Sequence, residues 1–108
     1  MNLPTEIFND VIVVHAPDEL NRDQSEAFET RLCTLDRRRV VLDLDGVESI
    51  DSQGLTSLLD VQDKLRATGG ELKIAATNAT NRKILEITRL DQQLEVFDSV
   101  LDAVKSFR

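Results

Sequence analysis

A chain of 108 residues has the length of one domain, and 41% apolar with 31% charged residues is an ordinary composition for a soluble globular fold. A net charge of −7 excludes a nucleic-acid binder of the usual kind, because a phosphate backbone needs a basic face. A single cysteine, Cys33, excludes an internal disulfide and a thiolate metal cage. No apolar run approaches the ~18 residues of a membrane span. The opening "MNLPTEIFND" also lacks the basic and apolar regions of a signal peptide. The expected location is the cytoplasm, with no membrane partner.

Taken in chain order, periodicity switches repeatedly between two and about 3.6. "TEIF" (Thr5 to Phe8) reads as an edge strand, and "DVIVVH" (Asp10 to His15) as a β-branched strand closed by Pro17. Asn21 to Arg37 reads as a helix with Phe28, Leu32 and Leu35 inward and Cys33 as a small buried or half-buried residue. Arg37, Arg38 and Arg39 are expected to be its solvated end, complementing the helix dipole. "RVVLDLD" (Arg39 to Asp45) is the next strand. Gln53 to Ala67 is a second helix, with Leu55, Leu58, Leu59 and Leu65 on one face, stopped by Gly69 and Gly70. "ELKIAA" (Glu71 to Ala76) returns to strand, Ala79 to Thr88 to helix, and "LEVF" (Leu94 to Phe97) to a short strand. "DSVLDAVKSF" closes as a helix with Val100, Leu101, Val104 and Phe107 inward.

Strands and helices in this alternation give an α/β domain with right-handed crossovers and a mostly parallel sheet of four to five strands. Val40, Leu42 and Leu44 alternate with Asp43 and Asp45, while Leu72, Ile74 and Ala76 alternate with Glu71, Lys73 and Ala75. Parallel strands covered on both faces would be apolar almost throughout. The expectation is therefore helices mainly on one face and a partly wet opposite face.

At the handover from the "RVVLDLD" strand to the second helix stand Asp51, Ser52, Gln53 and Gly54. This loop belongs to the C-terminal edge of the sheet, where functional loops of α/β folds gather. Two readings of Ser52 stay open on the residues alone. It can cap the helix by accepting a backbone N–H, a role worth about 1 kcal/mol. It can also accept a phosphoryl group, which would meet free N–H groups at the positive end of the helix dipole. Gly54 in the first turn suggests a close approach to the backbone, since glycine otherwise costs helix stability.

The stretch "VVLDLDGVESIDSQGLTSLLDVQDKLRATGGELKI", with the tail "NRKILEITRLDQQLEVFDSVLDAV", resembles the STAS family, specifically the bacterial anti-sigma-factor antagonists. The likeness spans roughly Val11 to Val104. It rests on a V-x-L-D-L strand, a G-V loop, I-D-S-x-G-L opening a helix, and G-G before the next strand. The resemblance implies a single STAS domain over residues 1–108 that binds partners and catalyses nothing. Ser52 is then the residue phosphorylated by an anti-sigma factor that is also a serine kinase, and a serine phosphatase resets it. The unphosphorylated form binds the kinase and frees the sigma factor. Asp51 and Gly54 match the family's acidic neighbour and glycine.

The expected interaction face is the loops Pro17 to Asn21, Glu48 to Gly54 and Thr77 to Thr80, including Glu19, Asn21 and Asn78. The exposed start of the second helix, Gln53, Thr56 and Ser57, should flank them. Two positions depart from the family pattern: Asn21 stands where an aspartate is usual, and Arg89 where glycine is. The alternative is a STAS domain serving as a constitutive scaffold or transporter accessory subunit, with Ser52 only a cap. The sequence does not set an oligomeric state and calls for no cofactor or metal. A receiver-like acidic site is disfavoured because no lysine follows the "ELKIAA" strand. There is no P-loop and no G-x-S-x-G elbow. His15, the sole histidine, reads as a half-buried strand-end residue before it reads as a base for Ser52.

Overall fold

The computed structural model describes residues 1–107. The elements run β1 (Thr5–Phe8), β2 (Val11–His15), β3 (Glu19–Leu20), α1 (Arg22–Cys33), β4 (Arg39–Asp43), β5 (Ser49–Ile50), α2 (Ser52–Ala67), β6 (Glu71–Ala75), α3 (Ala79–Ile87), β7 (Glu95–Phe97) and α4 (Val100–Lys105). A 3-10 turn, Leu90–Gln92, joins α3 to β7. The main sheet has five strands in the order β1-β2-β4-β6-β7, parallel except for the β1–β2 hairpin. β3 and β5 form a separate parallel pair.

Side-chain alternation along the strands sorts the apolar residues into two cores. Ile12, Val14, Val40, Leu42, Leu72 and Ile74 face α1, α2 and α3, whose Phe28, Leu32, Leu58, Val61 and Leu85 fill the major core. Phe28 and Leu58 are fully buried, each contributing roughly 1.5–3 kcal/mol by leaving water. Val11, Val13, Val41 and Ala75 face the other way, onto Ala103 of α4 with Val100, Val104 and Phe107 around it. Three helices on one face agree with the strand patterns, but the opposite face is not the partly wet one expected: α4 covers it, and Val11, Val13, Val41, Lys73 and Ala75 are all buried there.

Several expectations need correction. α1 stops at Cys33 because Thr34 caps it, its backbone N–H and its Oγ1 both bonding the Thr30 carbonyl, at 3.1 and 2.8 Å. Leu35 still packs on the core, but from the loop, and Cys33 is exposed. The arginines therefore do not end that helix. Arg39 opens β4 and meets Asp10 at 3.0 Å, while Arg38 donates to the Thr68 carbonyl at the end of α2. Leu101 is 58% exposed, one position off the Val100, Ala103, Val104, Phe107 stripe that a helix can turn inward. Lys73, expected on a wet face, is buried under α4, paired with Glu95 at 3.0 Å, donating to Ser106 Oγ at 2.8 Å and lying 4.3 Å from the centre of the Phe107 ring. Pairing and a ring face are what allow an ammonium to be buried.

Candidate functional site

The C-terminal edge of the sheet is assembled by backbone pairing. β3 follows Asp18, β5 precedes Asp51, and their parallel pairing sets Glu19 opposite Ser49 and Leu20 opposite Ile50. The Asp18 carbonyl accepts from Glu48 N at 2.7 Å, and the Leu20 carbonyl from Asp51 N at 3.2 Å. The loops around Glu19–Asn21 and Glu48–Gly54 are thus one surface. The third expected loop joins it through Asn81, which the sequence reading did not single out. Asn81 is buried and its Nδ2 donates to the carbonyls of Leu44, at 2.9 Å, and Val47, at 3.1 Å. Thr77 Oγ1 also bonds Asp45. An asparagine inside a helix next to the N-cap Asn78 is the only sequence signal that could have raised Asn81, and it is a weak one.

Each helix start on this edge has its own cap. Asn21 Oδ1 accepts from Asp23 N at 3.0 Å at α1, and Asn78 Oδ1 from Thr80 N at 2.8 Å at α3. At α2 the cap is Asp51, not Ser52: Asp51 Oδ1 accepts from Gly54 N at 2.8 Å, and its Oδ2 accepts from Arg22 N at 3.0 Å. The Gly54 bond, and then the Arg22 bond, hold the Asp51 carboxyl below its ordinary pKa, because both donors favour the charged form. This corrects the capping reading of Ser52. Ser52 is the first residue of α2, exposed, with its hydroxyl outside the capping bonds. It also narrows the phosphate expectation, since the Gly54 N–H is already taken by Asp51.

Of the flanking residues, Gln53 and Thr56 are exposed beside Ser52, and Glu19 is exposed across the β3–β5 pair. Asn21 and Asn78 are half-buried at their caps. Gly54 and Ser57 are not surface residues. Ser57 is buried and its Oγ donates to the Gly54 carbonyl at 2.6 Å. A Cβ at Gly54 would stand 2.1 Å from the Leu20 carbonyl oxygen. The close approach expected at Gly54 is therefore real, but the approaching group is β3 of the same chain. Both residues shape the edge from beneath.

His15 is half-buried, as its place at a strand end suggests. Its Nδ1 lies 2.8 Å from Asp43 and its Nε2 2.7 Å from Glu6, so both ring nitrogens are engaged away from Ser52. Among the described residues no group of three or more His, Cys, Asp or Glu side chains is placed to hold a metal ion. No described helix is long and apolar enough to cross a membrane.

The family model of the STAS domain matches residues 2–103. A Thermotoga maritima protein whose name places it provisionally among anti-sigma factor antagonists is 25% identical over 97% of this chain and 96% of its own. The crystal structure of an anti-sigma factor antagonist from Mycobacterium paratuberculosis superposes with a TM-score of 0.84 at 23% identity, covering 97% of this chain and 92% of that one. The Bacillus cell-fate determinant SpoIIAA in its phosphorylated form gives a TM-score of 0.70 at 17% identity over 99% of this chain and 100% of its own. At such identities the structural likeness speaks to the fold, and it agrees with the five-stranded sheet and its helices. The chain is a member of the STAS domain family, the family of the anti-sigma factor antagonists that it resembles.

Proposed function

We propose that this protein is a phosphorylation-switched binding module that acts as an anti-sigma factor antagonist. With Ser52 unphosphorylated, the β3–β5 edge binds an anti-sigma factor that is also a serine kinase, and the sigma factor is released. The kinase transfers a phosphoryl group to the Ser52 hydroxyl, the complex separates, and a serine phosphatase restores the hydroxyl. The protein itself is substrate and ligand, not enzyme.

The observation that carries this reading is the division of labour between Asp51 and Ser52. Asp51 does the capping, so the exposed Ser52 hydroxyl is free for another use. A phosphoryl group there adds about −1.5 to −2 charge. It would sit beside the ionised Asp51, in a chain of net charge −7. A partner seated closely on Gln53, Thr56 and the β3–β5 pair would be repelled.

The test is capture of partners by wild type, Ser52→Ala and Ser52→Asp, read by mass spectrometry. The proposal expects an ATP-binding kinase to be held by wild type and Ser52→Ala and lost by Ser52→Asp. One common partner retained by all three would mark a constitutive scaffold or transporter accessory subunit instead.

A further inference from the structure

β1 is an edge strand all four of whose residues are exposed, with Ile7 and Phe8 at 55% and 41%. Little apolar burial holds it to the sheet. Besides its ladder with β2 and the buried Leu3 just before it, two features of His15 fasten it. The His15 N–H donates to the Pro4 carbonyl at 3.0 Å, and the His15 ring bridges two carboxylates. Its Nε2 is 2.7 Å from Glu6 Oε1 on β1, and its Nδ1 is 2.8 Å from Asp43 Oδ2 on β4. Both contacts are hydrogen bonds only when the imidazole carries two protons. A neutral ring has one donor, so one carboxylate would face a nitrogen lone pair.

We propose that Glu6, His15 and Asp43 form a proton-operated brace that fastens the edge strand β1 to the centre of the sheet. Asp43 is the fixed end. Its side chain is 15% exposed, and its other oxygen accepts from Asp45 N at 3.0 Å. Glu6 is the end that lets go, with its side chain 56% exposed. Glu6 and Asp43 are the charged groups that act on the ring, while α4, the helix on this face, turns Val100, Ala103, Val104 and Phe107 toward the sheet. The Glu6 hydrogen bond is the largest influence on His15 and, with those of Asp43, outweighs desolvation, so its pKa is raised above 6.5. The brace is therefore complete below the unfolded-state pKa and is lost as pH rises through the higher folded value. That places the change above the ordinary histidine value of 6.5. The proposal is independent of any phosphorylation at Ser52.

The test is NMR on wild type and Glu6→Gln. It follows the His15 ring resonances and the hydrogen-exchange protection factors of β1, β4 and β6 amides from about pH 6 to 8.5. In wild type, β1 protection is expected to fall roughly two- to fivefold, the size of an exposed ion pair, with the midpoint of the ring titration. β4 and β6 protection should stay level, and β1 of Glu6→Gln should show no step. Unchanging β1 protection in wild type, an equal fall in Glu6→Gln, or a ring midpoint at or below 6.5 each overturns the brace. Glu6 is exposed on an edge strand, so its glutamine variant is expected to fold and the comparison holds.

Discussion

The carboxylate of Asp51 accepts the backbone N–H of Arg22 at 3.0 Å, so the residue that caps α2 also holds the first residue of α1. One negative group thus serves two helix N-termini, each carrying the positive end of a backbone dipole. The β3–β5 pairing makes this possible by laying Leu20–Asn21 beside Ile50–Asp51. The edge that presents Ser52 is consequently built around Asp51, and the serine stands at its surface.

This relationship predicts an acid-sensitive component of stability. Asp51 has a folded-state pKa below its ordinary 3.8, so its contribution is fully present above that value and is lost as pH falls through the depressed one. Acid unfolding of wild type should carry this loss, whereas Asp51→Asn should start less stable at neutral pH and lose less on acidification. Circular-dichroism melts from neutral to strongly acid pH make the comparison. Parallel curves for the two proteins would show that the double cap contributes nothing as an ion.

Gly54→Ala should be costly out of proportion to one methyl group. The added Cβ would lie 2.1 Å from the Leu20 carbonyl oxygen and 3.0 Å from Ile50 Cγ1, and the first obstacle is backbone. Denaturant unfolding is expected to show a loss of about 3 kcal/mol. Because β3 must retreat, capture of a partner on the edge should weaken in the same variant. A change under about 0.5 kcal/mol, the size of a surface substitution, would mean that β3 yields freely.

Asn81→Leu should separate the third loop from the other two. The carbonyls of Leu44 and Val47 would lose their buried donor, at a cost of about 1–3 kcal/mol. Equilibrium unfolding measures the cost. Faster amide exchange confined to residues 44–48 and 76–80 would locate it.

Arg89→Gly runs in the opposite direction. Arg89 sits at φ 61°, ψ 20°, in the left-handed region, after α3. Glycine relieves the Cβ strain of that conformation, and the variant should be more stable by about 1 kcal/mol. Thermal unfolding that is unchanged or lower would show that the arginine side chain offsets the strain. The position was legible from the resemblance alone, which puts glycine there.

The succession of elements could be read because each carries its own periodicity, and β-branched runs and punctuating glycines are local facts. That the helices lie mainly on one face was likewise present in the alternation of Val40, Leu42 and Leu44 with charged neighbours, but that alternation did not show that α4 buries the other face. Ser52 and its edge came from a short motif at a strand-to-helix handover. Side-chain assignments within that edge were not local. Asp51, standing one residue before the helix, takes the cap through the Gly54 N–H, and its other oxygen reaches the Arg22 N–H, 29 positions away, a tie that no local pattern shows. Gly54 lies beneath the surface because β3, which has only two residues and no periodicity of its own, brings the Leu20 carbonyl over it, and Ser57 is buried with its hydroxyl on the Gly54 carbonyl. Lys73 is buried because Glu95, Ser106 and Phe107 converge on it from β7 and the end of α4. The sequence by itself determined the order and type of elements, through patterns written within a few residues. Only the tertiary structure decided which side chain does which task, because those tasks depend on partners that the chain brings together from far apart.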